Sequence, residues 1–112
     1  MEEAKTTLYK WDDMPKEQVT DLLDRRLITG DRMMLAHVYM KKGCIVPKHS
    51  HENEQITYIL EGQLDMEING QPYSLSPGMV HVIGSNVPHG AVAVTDCKVI
   101  DAFNPVREDY RK

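Results

Sequence analysis

The chain has 112 residues, 41% hydrophobic and 27% charged, a balance that belongs to a packed fold of one domain (1–112) and excludes disordered or collagen-like chains. Thirteen Lys and Arg against seventeen Asp and Glu leave a net charge of -4, so the cationic footprint of a nucleic-acid partner is missing. The apolar runs fall far short of the roughly 20 residues of a membrane span, and the opening MEEAKTTLYKW carries no apolar signal region; a cytoplasmic protein without a membrane partner is expected.

In chain order, the first patterned segment is MPKEQVTDLLDRRLI, where Val19, Leu22, Leu23 and Leu27 follow Pro15 at helical spacing and allow a short helix. Turn signals then recur about every eight to twelve residues: ITGDR, KKG, HEN, EG, NGQP, SPG and GSNVP. Between them RMMLAHVYM, QITYILEG, QLDMEI, PYSL, MVHVI and CKVIDAF are short and rich in β-branched or aromatic residues, and read as strands. Asn69 and Gly70 both tolerate the positive φ of a type I′ turn, which makes INGQPY the clearest hairpin. The rhythm predicts an all-β sandwich or barrel. Edge strands exposed by so small a sheet predict a homodimer formed through strands near the N-terminus.

Cys44 and Cys97 are too few for a disulfide framework and are expected as buried free thiols; on a strand shared with His49, Cys44 would point to the opposite face. Met33, Met34, Met40, Met66 and Met79 are expected to fill core gaps or line a pocket, and His37 and His81 to pack or lie at the surface. His49 and His51 stand two apart. On a strand both imidazoles would project from one face, about 6.6 Å apart along the chain and within reach of one metal ion.

The spacing runs Gly43, five residues, His49, one residue, His51, three residues, Gln55, six residues, Gly62, and a second block extends from Gly78 to His89. This resembles the cupin superfamily, whose first motif (here 43–62) carries Glu where Gln55 stands. In its second motif (78–93) Gly78 and His89 match, whereas Gly84, Asn86 and Ala93 replace the usual Pro, Gly and Asn. The resemblance implies a small antiparallel jelly-roll barrel, in agreement with the strand rhythm. It also implies one divalent transition metal (Ni, Zn, Fe, Mn or Co) inside the barrel, bound by His49, His51, Gln55 and His89, with two positions left for water or substrate. An amide ligand leaves the charge of such a site unreduced, which favours polarising chemistry over dioxygen activation.

The segment VIDAFNPVRED (99–109) is further similar to the small pectin-degradation cupins that linearise 4,5-unsaturated galacturonate to the keto form. In that family an Asp, a Phe two on and an Arg four further line the pocket, matching Asp101, Phe103 and Arg107 here. The resemblance implies a non-redox metalloenzyme acting on a small carboxylate-bearing sugar, with Asp101 as general acid/base, Phe103 as substrate wall and Arg107 as a carboxylate clamp. Asp101 and Phe103 share strand parity, which suits one pocket face. Two other readings stand beside it: an Fe- or Mn-dependent dioxygenase, and a sugar-binding cupin without turnover.

Overall fold

The computed structural model describes residues 6–110. Residues 1–5, part of the segment read above for a signal, lie outside the described residues. A 3₁₀ turn at Trp11–Asp13 precedes the strands β1 (Glu17–Thr20), β2 (Leu23–Thr29), β3 (Met34–Met40), β4 (Ile45–His49), β5 (Glu54–Glu61), β6 (Leu64–Ile68), β7 (Gln71–Leu75), β8 (Val80–Ile83), β9 (His89–Ala93) and β10 (Cys97–Asn104). They form two antiparallel sheets, β1-β2-β3-β10-β5-β8 and β4-β9-β6-β7, that face one another as a jelly-roll barrel. No helix among the described residues is long and apolar enough to cross a membrane.

The alternation seen in the sequence is the alternation of burial. Met34, Ala36, Val38 and Met40 of β3 point inward, as do Gln55, Thr57 and Ile59 of β5, and Leu64, Met66 and Ile68 of β6. Register aligns these residues into rows across the larger sheet. One row runs Met34, Phe103, Gln55, Ile83; the next runs Leu27, Ala36, Asp101, Thr57; the next runs Arg25, Val38, Val99. The β6–β7 hairpin turns at Asn69 (φ 51°) and Gly70 (φ 80°), as their residue types predict. Pro47 and Pro72 lie in β4 and β7, the two edges of the smaller sheet, where a missing N–H interrupts no interior ladder.

Several expectations are corrected. Residues 14–29 form no helix; after the 3₁₀ turn they make the β1–β2 hairpin, and β2 pairs with β3 along its whole length. A helix there would leave the β3 edge unpaired, and the period-two set Leu23, Arg25, Leu27 faces inward instead. β4 and β9 lie outside the segments whose sequence reads as strand, because HGAVA lacks bulky residues and IVPKH contains a proline. Cys44 is buried just before β4, not in it, and both cysteines are buried free thiols. Met33 and Met79 are exposed, unlike the buried Met34, Met40 and Met66. His37 packs on Trp11 and Tyr39, and His81 on Tyr73.

Candidate metal centre and pocket

Two strands and one loop bring three imidazoles together. His49 ends β4 and His89 opens β9, and the two are directly paired across the sheet. A register shift between Val46 and His49 makes this pairing, and β4 crosses so close to β9 there that a Cβ on Gly90 would lie 3.0 Å from Val46 O and 3.1 Å from Lys48 N. Glycine is what the crossing requires. His51 is not on a strand with His49, contrary to the parity argument; it lies in the loop before β5. The ligating atoms of His49, His51 and His89 nevertheless fall within 4.8 Å of one another.

The tautomers are legible from the backbone. Nδ1 of His49 lies 2.8 Å from Pro47 O, Nδ1 of His51 lies 3.0 Å from Asn53 O, and Nδ1 of His89 lies 2.8 Å from Val87 O. A carbonyl only accepts, so each Nδ1 carries the proton and each Nε2 presents a lone pair. His89 Nε2 is buried without a partner. His51 Nε2 stands 3.1 Å from Gln55 Oε1, acceptor against acceptor. Two donors each about 2.1 Å from one cation at a right angle are separated by about 3.0 Å, so this otherwise unfavourable approach fits a shared metal ion. Burial lowers the pKa of His51 and of His89, with Arg107 adding to the effect at His51, which keeps both imidazoles neutral and able to ligate. The donor set fits the metal that the sequence implies.

Gln55 is oriented from its other end. Its Nε2 donates to Thr57 Oγ1 (2.8 Å) and approaches Asp101 Oδ1 (3.4 Å), while Thr57 Oγ1 donates to the same Oδ1 at 2.8 Å. Burial pushes the Asp101 carboxyl up to about 6, against the pull of these hydrogen bonds and of Arg107. A cavity of about 270 Å³ lies between the sheets and is lined by His49, His89, Gln55, Asp101, Phe103 and Arg107, among others. That volume suits a small ligand, being just below the roughly 300–1,000 Å³ of drug-sized pockets. A larger, more open depression of about 330 Å³ between Lys16, Asp24, Glu61 and Lys98 is remote from the histidines and lined by charges of both signs.

Residues 36–103 match the Cupin domain family. The chain is a cupin. It is similar to the "Pectin degradation protein KdgF" of Dickeya dadantii (strain 3937), at 33% identity over 102 residues, covering 88% of this chain and 93% of the relative. Among solved structures it is similar to KdgF from Halomonas sp. (TM-score 0.90, 29% identity, 95% of this chain and 99% of that one). It is also similar to an RmlC-like cupin from Shewanella frigidimarina NCIMB 400 (TM-score 0.89, 26% identity, 95% and 96%).

The cupin barrel thus brings together His49, His51, His89, Gln55, Asp101, Phe103 and Arg107. Phe103 is 2% exposed; it forms the wall on which His51 and Tyr110 stack edge-on. Arg107 is buried with its fork engaged: Nε and Nη2 donate to the two carboxylate oxygens of Asp109 (3.2 and 2.6 Å), and Nη1 to Tyr110 Oη (2.9 Å). Burial alone would raise the Asp109 pKa, yet the Arg107 fork holds it below the usual carboxylate range. Sequence reasoning missed Thr57, Arg25 and Tyr110. Thr57 was recoverable from its parity with Gln55, whereas Arg25 was hidden by the helical reading of its segment.

Proposed function

We propose that this cupin is a metal-dependent, non-redox enzyme that opens the ring of a small unsaturated uronate and converts the resulting enol to its keto form. The observation that carries the reading is Asp101: a carboxyl poised near neutrality, held by Thr57 and Gln55 inside a sugar-sized cavity beside three converging imidazoles. His49, His51, His89 and Gln55 would hold one divalent transition metal, whose positive charge would polarise a substrate oxygen when bound. The similarity to the two KdgF proteins supports a pectin-derived uronate as substrate.

The reaction balances without an oxidant. The anomeric hydroxyl loses a proton and the bond from C1 to the ring oxygen breaks, its electron pair staying on that oxygen, which takes up a proton, to give an aldehyde and an enol. The enol then loses its hydroxyl proton while C4 gains one. In this reading Asp101 takes up and returns these protons, Phe103 bounds the sugar and Arg107 attracts its carboxylate. Assembly as a homodimer in the cytoplasm belongs to the same reading, with the exposed edge strand β1 near the N-terminus as the element a second copy would cover.

The test is loss of enol absorbance with 4,5-unsaturated galacturonate and metal-loaded protein, together with an oxygen electrode. Catalysis without oxygen uptake, lowered about 10²- to 10⁴-fold by Asp101→Asn, is expected. No acceleration over buffer removes the proposal; oxygen uptake points to a dioxygenase instead.

A further inference from the structure

The cavity has a second arginine. Arg25, in the middle of β2, faces inward in the row of Val38 and Val99, one inward-facing step from the row that holds Asp101. It is nine-tenths buried and lines the same cavity. From the register its Cα stands about 12 Å from that of Asp101, two strands across and two residues along, a span that its side chain and a six-carbon sugar bridge together.

Its donors are less occupied than those of Arg107. Among the described residues its one side-chain hydrogen bond runs from Nη2 to Glu17 Oε1 (2.7 Å), and its Nε is buried with no partner. A buried guanidinium N–H without an acceptor is unfavourable, and the group is built to take a carboxylate in a two-point fork. Arg107, by contrast, already spends its fork on Asp109. The two guanidinium groups are tied together by Tyr110, whose ring centroid lies 3.9 Å from Arg25 Cζ and 4.1 Å from Arg107 Cζ. Glu17 and Asp109, the acids that anchor them, have side chains 52% and 62% exposed and do not line the cavity. The part of the cavity around Tyr110 therefore presents two cations while their counter-charges face solvent.

We propose that Arg25 is a substrate-binding residue that receives the carboxylate of the uronate, with Arg107 and Tyr110 completing that part of the pocket. This rests on the uronate reading above but can fail separately from it. Arg25 touches no reacting atom, so it acts on affinity and not on the chemical step.

The experiment compares metal-loaded wild type, Arg25→Gln and Arg25→Lys, each first checked for fold by circular dichroism and thermal unfolding. Turnover of 4,5-unsaturated galacturonate is measured, and binding of galacturonate and of uncharged galactose is measured by calorimetry. Arg25→Gln is expected to raise KM about 10- to 100-fold with kcat within about threefold, and to weaken galacturonate but not galactose. Arg25→Lys, which keeps the charge but loses the fork, should fall between. A folded Arg25→Gln protein with wild-type KM and wild-type galacturonate affinity overturns the assignment. If wild type does not turn over the unsaturated sugar, the proposed function fails while galacturonate binding still decides Arg25; wild type that neither turns over nor binds a uronate overturns both.

Discussion

Replacing Gln55 by Glu, the residue most cupin motifs would place there, tests why this barrel carries an amide. The Gln55 Nε2 that lies 3.4 Å from Asp101 Oδ1 would become a carboxylate oxygen at the same place. Two unit charges at that distance repel by about 5 kcal/mol at an effective dielectric constant of about 20. Protonating Asp101 avoids this. With its carboxyl at about 6, holding a proton at pH 7 costs only about 1 kcal/mol, so protonation wins over repulsion. At pH 5 the wild-type carboxyl is already largely protonated and the cost almost disappears. The sign follows: a carboxyl raised above its unfolded value makes the fold less stable as pH rises through about 6, and Gln55→Glu steepens that loss. In urea unfolding of metal-free protein, the stability gap between wild type and Gln55→Glu should be about 1 kcal/mol wider at pH 7 than at pH 5. Adding Asp101→Asn should abolish the widening. The metal-loaded variant should also lose turnover at pH 7 and recover part of it at higher pH, because the proton acceptor is filled. An equal gap at both pH values, or an unchanged pH profile with metal bound, would refute the argument.

Three further outcomes follow from the same geometry. Saturating Zn²⁺ or Ni²⁺ at about 1,000 times its Kd should stabilise the fold by about 4 kcal/mol in thermal or urea unfolding; His89→Ala, which deletes the buried unpartnered Nε2, should remove most of that gain. Gly90→Ala should reduce stability by about 1–3 kcal/mol and weaken metal binding in calorimetry about tenfold or more, because its Cβ presses on the β4 backbone that carries His49; unaltered affinity would disconnect the crossing from the site. His37, its pKa lowered by burial and then by Arg26 and Lys98, binds its proton less readily folded than unfolded, so stability is lost as pH falls below 6.5 toward the lowered value. His37→Phe should flatten that acid-side loss, and equal urea midpoints at pH 7.5 and 5.5 relative to wild type would show that another group carries it.

Strong periodicity makes four strands legible from residue order alone. In β3, β5, β6 and β10 alternate side chains must be apolar to reach the core, and that requirement also placed Asp101 and Phe103 on the inner face with Val99. Asn69-Gly70 determined its hairpin because few residues accept positive φ twice in succession. The candidate ligand types were legible too, since His49, His51, Gln55 and His89 stand at cupin spacing. What these groups do to one another depends on the folded arrangement. Residues 14–29 satisfy a helical spacing, but pairing with the open edge of β3 outweighs it and delivers Arg25 to the cavity. Carbonyls of Pro47, Asn53 and Val87 select the imidazole nitrogen that faces inward. The contact of an amide nitrogen with Asp101 gives Gln55 its meaning. Hydrogen-bond direction and charge separation depend on where distant segments meet, and local sequence patterns carry no record of that meeting.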